Sequence, residues 1–405
     1  MANNQATIKQ PPPPPPPQEQ QQQLERGYPP NLSFWEKADL VPALVSIAAI
    51  TGYYAVRGLF EGTKHYWDYV GHAALRNIAG RLSCRQCQFS EKTYRDAARW
   101  SNLLESCLVP ILTAFRYLFP STDKAYEQFA KEKGFQPESV PLRHGGQGHW
   151  LGRKDAKYVL IFFHGGGFQY PAVNPHLEFV LEVIKNLNAT GHDVSAFFPS
   201  YTLTPYASYP TQLRQAAEAL RYILADTGRP PSNVFIAGDS AGANLALAVL
   251  SHLSHPHPEI DPIEVVEPLA GIAVIGPFVT FDLNLPSEKQ HRHTDVVDTK
   301  STVRSGEVYL NGRKGDNWSE QRRTTADWWK GSKVKHALIT AGANEVLLSS
   351  ILDFEQKFKT AVPNTVFILA HDECHVSPVY DKMIGDKTEK EQEKAFKSWL
   401  AERLV

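Results

Sequence analysis

The run FIAGDSAGANL, residues 235–245, sets one serine between two glycines, and it constrains what this chain can fold into more than any other stretch. Residues 234–237 are apolar and read as a buried strand, and residues 244–253 read as a helix, so Gly238, Asp239, Ser240, Ala241 and Gly242 fall at a strand-to-helix turn. A turn that sharp pushes the serine hydroxyl out beyond the strand end. Strand and helix can pass so closely only if positions 238 and 242 carry no side chain. The helix start behind the serine also favours developing negative charge. A packing turn with a capping serine has the same spelling, so the nucleophile reading needs support from elsewhere in the chain.

That support comes from the sequence on either side of the turn. After about residue 140, short β-branched and aromatic runs (YVLIFF, VSAFFP, NVFIAG, GIAVIG, HALITAG, NTVFILA) alternate with helical stretches such as YPTQLRQAAEALRYILADTG and ANLALAVLSHL. The alternation predicts an α/β fold with crossover units, a mostly parallel sheet and helices on both faces. In YVLIFFHGGGF, the residues His164, Gly165, Gly166 and Gly167 come straight after a strand, where bare N–H groups can converge on a substrate oxygen. With the N–H of Ala241, Gly166 and Gly167 read as a three-donor oxyanion hole, Gly165 belonging to the same group and shaping the turn. Each donor is worth roughly 3 to 4 kcal/mol of barrier. A phosphate-binding loop would instead need G-x-G-x-x-G spacing or a P-loop lysine, and neither is present.

A serine hydroxyl needs a base, and the base needs a carboxylate, so both should follow late in the chain. HALITAGANEVLLSS offers Glu345, and VFILAHDECHVSPVY offers His371 and His375. His375 is preferred because it lies in the loop beyond the strand, whereas His371 belongs to the strand end. Glu345 is preferred over Asp353, which lies on the following helix, and over Asp372, which is too near the base in sequence. Cys374 reads as filler.

Composition narrows the remaining classes. Lys plus Arg number 42 against 43 for Asp plus Glu, a net charge of -1, so no basic excess points to nucleic acid. The four cysteines, Cys84, Cys87, Cys107 and Cys374, are too few for a disulfide framework, and the lone C-x-x-C has no second pair to close a zinc site. His291 and His293, in SEKQHRHTD, have no ligand-rich partner segment and read as part of a solvated loop, so neither metal nor organic cofactor is expected. The chain divides into a Pro/Gln-rich tail over 1–31, a hydrophobic segment with N-terminal helices over 32–139, and the α/β region over 140–405. The run LVPALVSIAAITGYYAV, from Leu40 through to Val56, carries no charge and reads as a membrane anchor, spanning or interfacial, with Tyr53, Tyr54 and Arg57 suited to the interface. It points to a membrane such as the endoplasmic reticulum or a lipid droplet, with the cytosol as the alternative; orientation and oligomeric state stay open. Sequons at Asn31, Asn188 and Asn317 matter only if the domain faces a lumen.

HGGG and GDSAG occur together, and between them PSYTLTPYASYPTQLRQA carries Tyr201, Leu203, Pro205 and Pro210 in a Y-x-L-x-P pattern. On these motifs, residues 140–405 resemble the hormone-sensitive-lipase-type branch of the α/β-hydrolases. WWKGSKVKHALITAGANEVL further resembles its steryl-acetate-hydrolase-like members. The resemblance implies an eight-stranded, mostly parallel sheet, and a cap built from N-terminal helices and an insertion over about 280–328. It also implies a triad of Ser240, Glu345 and His375. Two departures stand out: Leu348, Ser349 and Ser350 replace the acidic pair that usually follows the acid, and the acid is Glu where Asp is commoner. The implied activity is cofactor-free ester hydrolysis through an acyl-enzyme on lipophilic esters, such as an acetylated sterol or an acylglycerol. Two other readings remain: an amidase of the arylformamidase type, and a non-catalytic receptor that keeps the pocket to bind a small molecule.

Overall fold

The computed structural model describes residues 120–404, and in it eight strands form one sheet. They are β1 (Ser139–Pro141), β2 (Gln147–Leu151), β3 (Tyr158–Phe163), β4 (Val194–Ser200), β5 (Val234–Asp239), β6 (Leu269–Ile275), β7 (Val334–Gly342) and β8 (Thr365–Ala370), in the order β1-β2-β4-β3-β5-β6-β7-β8. From β4 to β8 every pairing is parallel, and β1 and β2 add an antiparallel edge. The six runs read as strands in the sequence are β3 to β8. The edge strands escape such a reading because β1 has only three residues and β2 begins among glycines.

The helices are α1 (Thr122–Lys133), α2 (Asn174–Ala189), α3 (Thr211–Arg221), α4 (Ser240–Ser254), α5 (Pro286–His291), α6 (Thr299–Leu310), α7 (Leu348–Ala361), α8 (Ser377–Met383) and α9 (Glu391–Ala401). Period-2 alternation along β3 explains why they cover both faces. Val159, Ile161 and Phe163 join a core with α3, α4 and α7, while Leu160 and Phe162 join one with α1, α2 and α9. Helix α4 is buried from Ser240 to Leu253, which matches its apolar and small residues on all sides.

In the segment after β6, the stretch holding His291 and His293 is not wholly the solvated loop expected, since His291 ends a short helix. The segment carries α5 and α6, and α6 buries Ser301, Ser305, Gly306 and Tyr309 along one face. Asp298 caps its start by accepting from the N–H of Ser301 at 2.8 Å, and Asn311 ends it in the left-handed conformation. A buried face made largely of serine and glycine leaves no hydrophobic period to read. His291 is buried and His293 exposed, so the pair does not act together.

The Pro/Gln-rich tail, the run from Leu40 to Val56, Asn31 and the cysteines at 84, 87 and 107 lie outside the described residues. Among the described residues no helix is long and apolar enough to cross a membrane.

Candidate active site

Strand β5 ends at Asp239 and α4 begins at Ser240 with no loop between them. Ser240 takes a φ of 51°, a left-handed conformation that costs a non-glycine residue about 1 to 3 kcal/mol and persists only where its surroundings enforce it. The flanking glycines show how it is enforced. A Cβ on Gly242 would lie 2.0 Å from the Phe163 carbonyl oxygen of β3, and one on Gly238 would lie 2.5 Å from the Gly242 backbone. Strand and helix are pressed together at this point, and Ser240 is carried on the bend.

His375 and Glu345 come from the loops after β8 and β7, the two strands beyond β6. His375 Nε2 lies 2.9 Å from Ser240 Oγ, and Nδ1 lies 2.6 Å from Glu345 Oε1. The second Glu345 oxygen accepts from the Gly342 N–H at 3.0 Å, so the extra methylene relative to aspartate is taken up by a tight turn onto its own backbone. With Glu345 on Nδ1, the proton sits there and Nε2 is left to accept from the serine. Burial opposes charge on His375, but the Glu345 carboxylate, through charge and hydrogen bond, with help from Asp295 and Asp239, leaves its pKa above the usual histidine value. The competing residues are elsewhere: His371 and Asp372 are exposed, and Asp353 is paired with Arg322 and Lys357. Cys374 is buried with its thiol pKa pushed well up, mainly by burial, as filler would be.

The glycine loop after β3 divides its work. Gly166 and Gly167, with φ of 104° and 59°, line the same cavity as Ser240 and His375. The N–H of Ala241 belongs to the first turn of α4, which has no intrahelical partner. Gly165 departs from the sequence reading: its N–H donates to Asp239 Oδ1 at 2.9 Å and is not free for a substrate oxygen. A buried carboxylate next to the serine takes the nearest N–H, so Gly165 ties the glycine loop to β5. Asp239 Oδ2 lies 3.4 Å from His176 Nε2, while His176 Nδ1 accepts from the Val173 N–H. His164 is stacked on Tyr201 at 4.5 Å, and the Tyr201 hydroxyl donates to the His164 carbonyl at 2.8 Å. The Y-x-L-x-P segment thus braces the loop from beneath.

Asp295 escaped the sequence reading, and so did the bonding of Ser349, which the sequence marked only as a departure from the family. Asp295, in the insertion, is fully buried, and its carboxylate accepts from the N–H groups of His375 and Val346. Ser349, in place of a family acid, bonds Ser287 of α5: the Ser287 N–H donates to Ser349 Oγ and the Ser349 N–H to Ser287 Oγ, each at 3.0 Å. Neither residue carries a motif; their partners lie 80 and 62 residues away along the chain. The cavity, of about 140 Å³, has walls from Tyr170, Val173, Val296, Val297, Leu347 and Met383.

Comparison with known proteins bears on the fold and the family. Residues 160–378 match a family described as having the α/β-hydrolase fold. An esterase of Acinetobacter venetianus is 23% identical over 263 residues, 64% of this chain and 77% of that protein. Steryl acetyl hydrolase 1 of Saccharomyces cerevisiae is 24% identical over 237 residues, 55% of this chain and 49% of the yeast protein. Arylacetamide deacetylase of Mus musculus is 24% identical over 284 residues, 68% of this chain and 64% of that one. Among solved structures, a hormone-sensitive lipase from a metagenome library shares the fold with a TM-score of 0.55 at 20% identity, covering 71% of this chain and 94% of its own. On the family match and the site geometry together, the chain belongs to the hormone-sensitive-lipase-type α/β-hydrolases, as a carboxylic ester hydrolase.

Proposed function

We propose that Ser240, His375 and Glu345 hydrolyse lipophilic esters through an acyl-enzyme. The observation that carries this reading is the unbroken chain Ser240 Oγ, His375 Nε2, His375 Nδ1, Glu345 Oε1, at 2.9 and 2.6 Å, opening into an apolar cavity. Ser240 Oγ attacks the ester carbonyl carbon as His375 Nε2 takes its proton, and Glu345 holds the imidazolium that results. The oxyanion rests against the N–H groups of Gly166, Gly167 and Ala241. Collapse breaks the bond to the leaving oxygen, which receives the proton from His375 and departs as alcohol. Water, deprotonated by the same nitrogen, then attacks the acyl-enzyme and releases the acid and free Ser240.

A cavity of about 140 Å³ is close to the size that admits a single small ring, which supports a short acyl group with the lipophilic alcohol extending outward. The hydrophobic run from Leu40 to Val56 supports attachment to a membrane such as the endoplasmic reticulum or a lipid droplet, where such alcohols partition. The yeast relative's name, a steryl acetyl hydrolase, is in keeping with an acetylated sterol. The mouse relative's name, an arylacetamide deacetylase, keeps amide cleavage as the second reading, and the intact base argues against an inert receptor.

The test is turnover by the full chain and its Ser240→Ala form on p-nitrophenyl acetate, butyrate and palmitate, with an aryl acetamide and an aryl formamide alongside. We expect acetate and butyrate to be preferred and the alanine form to lose about a millionfold in kcat. A fluorophosphonate should label the wild type stoichiometrically at Ser240. Activity unchanged by Ser240→Ala sinks the mechanism, whereas faster turnover of the amides moves the reading to an amidase.

A further inference from the structure

The Asp295 carboxylate is where three parts of the site meet. Oδ1 accepts from the backbone N–H of His375 at 3.0 Å and from that of Val296 at 2.8 Å, and Oδ2 accepts from the N–H of Val346 at 2.7 Å. His375 is the proposed base, Val346 directly follows Glu345, and Val296 and Val297 form cavity wall. A single side chain, contributed by the insertion, therefore grips the base loop, the acid loop and the substrate-facing wall. Burying a carboxylate is costly, and an apolar residue of similar size would fill the space but strand three buried N–H groups. The arrangement is specific to these loops.

We propose that Asp295 is a positioning residue for the reaction, holding His375 and Glu345 in register with each other and with the wall at Val296 and Val297. This rests on the triad reading above. Burial raises the Asp295 pKa, while His375 and the N–H donors of Val346 and His375 draw it back toward the ionised form. Facing His375 are the carboxylates of Glu345, Asp295 and Asp239 and the ring of Tyr380; facing Asp295 are His375, Glu345, His291, Cys374 and Tyr380. Within that group Asp295 adds negative charge beside the imidazole, through a bond to backbone that leaves the ring free to reach Ser240.

The test uses the full chain with Asp295→Asn and Asp295→Ser, assayed on p-nitrophenyl butyrate across pH, with Ser240→Ala in parallel. Asparagine keeps the shape but turns one acceptor into a donor that faces a backbone N–H. We expect kcat to fall about tenfold to a hundredfold in both variants while KM stays within about twofold. The acid limb of kcat/KM, which lies above the ordinary histidine value of 6.5 in the wild type, should move to lower pH in both. Wild-type kcat, or a fall in kcat with an unmoved limb, overturns the proposal. So does failure of both variants to fold, since a residue on which the whole domain depends is not specific to these loops. If Ser240→Ala stays active the triad reading itself fails; if it is dead and Asp295→Asn is unimpaired, only the role of Asp295 falls.

Discussion

His164 and His375 are both fully buried, and they respond to burial in opposite ways. Burial, with the nearby His176, lowers His164 to about 4, because no carboxylate bonds its ring and only the Gly165 carbonyl lies near Nδ1. Burial acts on His375 too, but Glu345 on Nδ1 outweighs it. The first therefore stays neutral in the native state, while the second has a partner that favours its charged form. The stability consequence comes from His164. The unfolded chain takes up a proton on this residue near 6.5 and the folded chain resists until about 4, so stability is lost as pH falls through that window. We expect His164 alone to account for roughly 2 to 3 kcal/mol of lost stability by pH 4.5. Urea unfolding of the wild type and of His164→Gln at pH 7 and 4.5 checks this: the glutamine form should show the shallower dependence, and equal dependence would refute it. At this scale Ser240, Glu345 and His375 were legible because each comes just after a hydrophobic run that could only be a strand. The use made of Gly165 was not, since its N–H is claimed by a side chain 74 residues away. Asp295 was invisible, one acid in a polar stretch whose meaning lies wholly in its long-range partners.

Strand β5 and helix α4 pass β3 so closely that only main chain fits between them, and this contact sets the height of the nucleophile. Gly242→Ala would press a methyl onto the Phe163 and His164 carbonyl oxygens, at 2.0 and 2.5 Å, with no flexible side chain to give way. We expect a loss of about 3 kcal/mol and displacement of Ser240 from His375. Thermal melting and esterase rate should fall together, and a variant that melts with the wild type would mean the approach is looser than described. The elements themselves were legible unequally. Six strands announced themselves as apolar runs, and β3 to β6 are buried along almost their whole length, whereas β1 has only three residues and β2 mixes Gln147, Gly148 and His149 with its apolar residues. Helix α6 hid behind a buried face of Ser301, Ser305 and Gly306, chosen for closeness rather than greasiness: a Cβ on Gly306 would meet the Phe281 ring at 2.4 Å. Ser305 also accepts from Gln169 Nε2 at 2.7 Å, so this helix is fastened to the segment just beyond the oxyanion loop.

For the whole molecule, the proposed lipophilic ester calls for a way to the surface where such esters partition, and the run from Leu40 to Val56 is the proposed attachment. The full chain is expected to co-sediment with phosphatidylcholine vesicles, and Ile47→Lys with Ile50→Lys to release it, since each charge placed at the centre of a membrane helix costs about 2.5 to 3.5 kcal/mol. Equal partitioning of the two forms would remove the anchor from the account. The hydrolase domain, by contrast, is organised around a fixed point of departure. After β6 the chain turns at Gly276, with φ of 52°, directly under the acid and base, where a Cβ would come within 3.0 Å of both Glu345 Oε1 and His375 Nδ1. The place where the insertion leaves the sheet is therefore pinned, and Asp295 ties its wall at Val296 to the base and acid loops as well. On the role proposed for Asp295, a change of substrate made through this stretch of the insertion disturbs the reacting atoms too, so that fit and rate are not tuned one at a time.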